Sequence, residues 1–422
     1  PISLVKDGVD EEDETFTVTL SSPVNASIST AMATGTIVDN DVAPALAIQD
    51  ASVTEGGDLQ FILALDQLSE KQVDAELTVL HVTASKSDVE EAASLLVTLT
   101  PGQLTTTFAV TTVEDTIDEP DETITVAILN ASNATVSEDE ATGTILDDDD
   151  PPSLSISDAS DTEGLDLTFT LTLSTISAKA VTVTVATSLN GTASAMDLTE
   201  ISESITIAAG ELTATIAVST FNDTTDEDNK TFSVVLSSPV NATIDDGTGQ
   251  GTILDNDAVP VLTVSSTSAT EGEDITFTFV LSAISEKTIS FDYGIIDSSF
   301  NGTATEGEDF IASGDVMTLN PGVLTATVSF TTIVDNLDEF DETFKITLNS
   351  PTNVNLMYTL ATGTILDGDT PPSLRVSDAS ATEGDDMIFT VTLSTISAKE
   401  ISVSAFTELG GTASAVDISS GS

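Results

Sequence analysis

Residues Leu154 to Leu173 read LSISDASDTEGLDLTFTLTL, and this stretch decides the fold. Leu165, Leu167, Phe169, Leu171 and Leu173 alternate with Asp and Thr, the period-two pattern of a strand that buries one face. A shorter strand, Leu154 to Ser157, precedes them and is separated by a polar turn holding Glu163 and Gly164. Moving outward, the alternation returns at Val181, Val183 and Val185, at Ile205 and Ile207, and at Ile216 and Val218. It returns again at Phe232, Val234 and Leu236, and a last strand ends at Ile253. These seven short strands, A to G, predict an all-β, antiparallel sandwich of the immunoglobulin-like kind.

The unit repeats. Thr-Glu-Gly stands at Thr54, Thr162, Thr270 and Thr382, and Gly-Thr-Ile at Gly35, Gly143, Gly251 and Gly363, a period of 108 to 112 residues. That period is too long for one solenoid coil and suits a self-sufficient domain. Complete units are expected at 44–150, 151–257 and 258–369, with junctions marked by Pro44, Pro151-Pro152, Pro260 and Pro371-Pro372. Residues 1–43 read as the last third of a unit and 370–422 as the first half of another. Linkers of a few residues imply that neighbours touch and that the array is a stiff, extended rod.

Composition narrows the function. The 422 residues include 71 acids against 9 bases, a net charge of −62, which excludes nucleic acid as a partner. There is no cysteine, so neither disulfides nor thiolate metal sites contribute. No apolar run is long enough to span a membrane, and no signal peptide stands at Pro1, so the chain reads as a mature or partial product.

Where the acids fall matters more than their number. In a seven-stranded, up-and-down succession the A–B, C–D and E–F loops and the chain after strand G share one pole. In the second unit that pole holds Glu163, Asp197, Asp223, Glu227, Asp255 and Asp257. The first unit offers Glu55, Asp88, Asp115, Glu119, Asp147 and Asp149, and the third Glu271, Asp309, Asp335, Glu339, Asp367 and Asp369. A salt-adapted surface would scatter its carboxylates; these converge. Several acids in one small volume must hold protons or admit a cation. Calcium fits an all-oxygen donor set, whereas zinc and copper are disfavoured when the only histidine is His81, itself expected to be a surface or packing residue.

The combination of Gly251-Thr-Ile-Leu-Asp-Asn-Asp257, Thr-Glu-Gly, Asn190-Gly-Thr-Ala and Asp335-x-x-Asp-Glu-x-x-Glu-Thr-Phe344 resembles the Calx-beta family, which is known from sodium/calcium exchangers, integrin-associated proteins and large bacterial surface proteins. In that family the loop acids ligate calcium. The same matching implies Asp7, Glu11, Asp39 and Asp41 in the leading unit and Glu383 and Asp417 in the trailing one. Two departures stand out. The second unit has Asn229-Lys230 where the others have Asp121-Glu122 and Asp341-Glu342, so its site is expected to hold fewer ions or to bind more weakly. The centre of the closing triplet varies as Asn40, Asp148, Asn256 and Gly368, which argues against a ligand there.

The expected function is a calcium-rigidified extracellular or cell-surface spacer, filament or adhesin stalk. Calcium at each pole is expected to lock a domain to its successor, because the closing triplet leads directly into the next strand A. The incomplete ends suggest either a window on a longer array or a subunit completed by a neighbouring copy through strand addition. The competing reading is a calcium-sensing module of a membrane protein. An enzyme is not expected: identical acids in every unit do not make the unique acid pair of a glycosidase, and one histidine cannot serve a Ser-His-Asp set. Phe16, Phe232 and Phe344 read as core residues of strand F. The sequons at Asn25, Asn133, Asn190, Asn241 and Asn301 could carry glycans, but turn chemistry explains them better.

Overall fold

The computed structural model describes residues 1–90, 95–296, 303–408, 410–414 and 417–418, and the sequon at Asn301 lies outside the described residues. Among the described residues every helix or strand is a strand, and three successive stretches each form nine strands in two sheets. In the second module one sheet has the order Thr213–Ser219, Asp166–Leu173, Ser153–Ile156, Thr243–Asp246. The other has the order Ala159–Thr162, Thr248–Leu254, Lys230–Val240, Val181–Ser188, Ser202–Ile207. All seven predicted strands are present in it.

The two additional strands have physical causes. Strand A splits: the chain leaves the first sheet after Ile156 and joins the second at Ala159, where it runs parallel to strand G. Asp158 pins this crossover by accepting the Gln250 N–H at 2.7 Å, as Asp50 accepts the Thr142 N–H at 2.7 Å in the first module. The other addition, Thr243–Asp246 between F and G, pairs parallel to strand A. The sandwich is therefore not wholly antiparallel. Strand B begins at Asp166, after Gly164 has turned the chain at φ +80°, so Leu165 belongs to the turn and is exposed.

Each complete module has its own core, so alternation along the strands becomes burial between two sheets. Phe169 and Phe232, both fully buried, meet edge-on with ring centroids 6.0 Å apart. The recurrent Gly-Thr-Ile follows from this packing. Its glycine lies opposite the strand-F core residue, as in Phe16↔Gly35, Ile124↔Gly143, Phe232↔Gly251 and Phe344↔Gly363. A Cβ on Gly143 would sit 2.6 Å from the Phe61 ring and one on Gly363 2.9 Å from Phe344, so the rings need a bare α-carbon beneath them.

The leading residues form one hairpin, Glu14–Thr19 with Met32–Ile37, and the trailing residues one pair, Leu374–Val376 with Val391–Leu393. No second sheet covers either among the described residues, so Phe16 is only half-buried, unlike Phe232 and Phe344. Asn133 and Asn241 take positive φ (55° and 58°), and their amides donate to Gln72 O at 2.8 Å and Ala180 O at 2.9 Å, which makes them turn anchors. His81 is exposed at the end of its strand.

Gly251→Ala should destabilise the second module by about 1–3 kcal/mol through overpacking against Phe232. Denaturant unfolding checks this, and adding Phe232→Leu should recover part of the loss; an unchanged midpoint for Gly251→Ala would refute the ring-on-glycine explanation.

Candidate metal centre

The pole is assembled by backbone bonds that bring distant loops to strand G. In the second module the Glu163 N–H bonds Leu254 O at 3.0 Å, tying the A–B turn to the end of strand G. The Asp255 carboxylate accepts the Glu227 N–H at 3.2 Å and the Asp257 N–H at 3.2 Å, so the closing triplet and the E–F loop share one anchor. Asp223 holds its own loop by accepting the Thr225 N–H at 2.6 Å, and Asp197 accepts the Ser194 N–H at 2.6 Å.

Among the described residues five groups of three acids result, in each of which one carboxylate oxygen from each acid lies within 4.8 Å of the others. They are Glu55, Asp115 and Asp149; Asp88, Glu119 and Glu122; Glu163, Asp255 and Asp257; Glu271, Asp367 and Asp369; and Asp309, Glu339 and Glu342. Glu122 and Glu342 were not predicted as ligands; the signal was the contrast with Lys230. Asp147 stands between groups, accepting from the Glu119 N–H at 3.2 Å, and its charge raises the pKa of Glu55. Asp335 caps Leu337 N–H at 2.7 Å; burial and then the Asp335 charge raise Glu339, and burial, helped by the charges of Asp257 and Asp223, raises Glu163.

In the leading unit Asp39 accepts the Glu11 and Asp41 N–H groups, Asp7 caps Val9, and Asp41 pairs with Lys6 at 3.8 Å. In the trailing unit Asp417 accepts the Ser414 N–H at 2.8 Å and Glu383 is exposed. No three-acid group forms among the described residues of either unit, because each supplies only some of the loops that meet at a pole.

The donor set fits a hard cation. Glu55 Oε1, Asp149 Oδ2, Glu163 Oε1, Asp257 Oδ2, Glu342 Oε2 and Asp369 Oδ2 are buried with no hydrogen-bond partner. Glu163 itself is only 5% exposed. Orphaned carboxylate oxygens are costly, and the last acid of the closing triplet carries one in all three complete modules. Burial and then the charges of Asp115 and Asp149 push Glu55 up to about 7. Burial, then the hydrogen bond that protonated Glu122 donates to the Asp88 carboxylate, push Glu122 up to about 7. Burial and Asp309 act likewise on Glu342.

The second module departs at one group. Where the others place Glu122 and Glu342, Lys230 directs its ammonium at Asp197 Oδ1 (3.0 Å) and Glu227 Oε2 (2.6 Å). Burial acts to lower the Lys230 pKa, but these bonds outweigh it and hold the value above normal. The chain thus supplies its own cation there.

A family model of the Calx-beta domain matches residues 1–41, 49–149, 154–257 and 255–370. The chain belongs to the Calx-beta domain family. Similar solved structures include the apo-form Calx CBD1 domain, at 26% identity, covering 26% of this chain and 100% of that one with a TM-score of 0.24. The calcium binding domain CBD12 of CALX1.1 is 14% identical, with 50% and 98% covered and a TM-score of 0.25. The Yersinia pseudotuberculosis adhesin InvE is 16% identical, with 55% and 66% covered and a TM-score of 0.24. No curated protein matches the chain.

The raised carboxyls set a pH dependence for the metal-free protein. A folded group with a pKa of about 7 holds a proton that the unfolded chain releases near 4.5. Its stabilising contribution is complete below the unfolded value and is lost as pH rises through the folded one. In chelator the melting temperature should therefore fall between pH 5 and pH 8, and saturating calcium should remove most of that fall; a metal-free melting temperature that rises over this range would contradict the assignment.

Proposed function

We propose that this chain is a calcium-binding structural spacer of an extracellular or cell-surface assembly, built from tandem Calx-beta domains and without enzymatic activity. The observation that carries the reading is the recurrence of buried, unpartnered carboxylate oxygens at the same pole of every complete module. The family membership and the absence of nitrogen or sulfur donors at the pole support calcium over softer metals. Glu55, Asp115 and Asp149, with their counterparts in the other modules, would hold the ion, and its charge would offset the burial and repulsion that raise the pKa of Glu55. Ion binding to the folded state alone adds stability by mass action and stiffens the loops that carry the ligands.

No helix is long and apolar enough to cross a membrane among the described residues, and three complete modules of one design suit a repeated support. Calorimetric titration of the whole chain with calcium tests the reading. Saturable binding whose stoichiometry falls by about one calcium per chain in Glu163→Gln and in Asp257→Asn supports it; no heat and no change in melting temperature would sink it. Lys230→Glu should add about one calcium per chain while lowering metal-free stability, because it converts an ammonium-filled group into a three-acid group. A dissociation constant in the roughly 10⁻⁷–10⁻⁵ M range of sensors, instead of the roughly 10⁻⁴–10⁻³ M range of extracellular modules, would favour the sensing role.

A further inference from the structure

The loops at the pole opposite the acids carry a feature that calcium chemistry does not absorb. The B–C loop contains Ser-x-Lys at Ser69, Ser177, Ser285 and Ser397, in phase with Asp10, Asp118, Asp226 and Asp338 of the preceding unit. At every junction these residues meet. Ser177 Oγ lies 2.8 Å from Asp118 Oδ2 and 2.9 Å from Asp118 O, and the Ala178 N–H donates to Asp118 O at 2.9 Å. The Lys179 ammonium takes the other carboxylate oxygen, Asp118 Oδ1, at 2.7 Å. Lys71 on Asp10, Lys287 on Asp226 and Lys399 on Asp338 make the same bond at the same 2.7 Å. Asp118 and Ser177 are 2% and 1% exposed, so the aspartate–serine centre of the contact is buried.

We infer that each module joins the next through this Asp–Ser–Lys contact, a plug on the B–C loop seated in a socket on the E–F loop, and that the contact fixes the joint without a metal ion. The partner that the surface fits is another module of the same construction, presented head to tail. The chemistry is complete within the protein: both carboxylate oxygens, the main-chain carbonyl and the serine hydroxyl are all bonded. A buried aspartate so satisfied holds its partner because separating them strands a charge. The plug is itself pre-formed. The Lys179 N–H donates to Ser177 Oγ at 3.0 Å, and the Gly210 N–H, from a turn at φ +79°, donates to Ser177 O at 2.9 Å. Gly102 and Gly322 make the same bond to Ser69 and Ser285.

Charge placement supports the same conclusion. Only nine residues of the chain are basic, and four of them are these lysines. Each also lies against the first acid of the preceding closing triplet, Asp39, Asp147, Asp255 or Asp367, at 3.4, 2.9, 3.6 and 2.8 Å. Scarce positive charge is thus concentrated where the acidic pole of one module faces the next.

The inference does not depend on calcium binding and is tested in its absence. The chain has no cysteine, so spin labels placed through Gln60→Cys and Thr168→Cys, on exposed strand positions of the first and second modules, report their separation by double electron–electron resonance. In excess chelator the parent chain should give a narrow distance distribution. Lys179→Met and Asp118→Asn should each broaden it, raising the undocked population by about tenfold or more, since the first strands the buried Asp118 charge and the second removes the carboxylate that the plug encloses. Near-parent far-ultraviolet circular dichroism in both variants shows that the modules remain folded. A broad distribution for the parent chain in chelator, or distributions in both variants as narrow as the parent's, would overturn the inference.

Discussion

Repulsion between carboxylates gathered at one end of each sandwich is the constraint from which the rest of the molecule follows. The topology brings four segments to that end, and each delivers acids. Such a pole is stable only if positive charge enters it, and three kinds are visible or implied. Protons are one, held by Glu55, Glu122 and Glu342 well above the usual carboxylate range. Lysine ammonium is the second, at Lys230 within a module and at Lys179 and its counterparts across a joint. A divalent metal is the third and the only one able to engage the orphaned oxygens together.

These cations do different work because of where they are anchored. Lys179, like its counterparts, belongs to the following module, so its charge binds two modules as well as relieving one pole. Lys230 belongs to the same module as its partners, Asp197 and Glu227, and relieves that pole locally; it also reaches Glu286 of the next module at 3.5 Å. A metal ion would belong to neither and would exchange, so any contribution from it would follow the surrounding concentration.

Much of this was legible in the sequence because a strand with one buried face writes a period of two, as Leu167, Phe169, Leu171 and Leu173 do. The convergence of acids was legible because alternating strands return loops to the same end. The split of strand A was not, since Ser157-Asp158 breaks the alternation and looks like a turn until Asp158 is seen bonded to strand G. Glu122 and Glu342 begin strand F, where an acid beside a core strand looks like ordinary surface. The Asp–Ser–Lys contact was not legible, because Ser-x-Lys acquires meaning only when the preceding module's aspartate is brought against it. Its in-phase recurrence was the available signal.

Anomalous diffraction from crystals of the whole chain grown with calcium tests the central claim most directly, because it locates the cation without reference to binding heat. The account predicts anomalous peaks at the five three-acid groups and none between Asp197, Glu227 and Lys230. Empty groups at saturating calcium, or a peak in the place of the Lys230 ammonium, would contradict it.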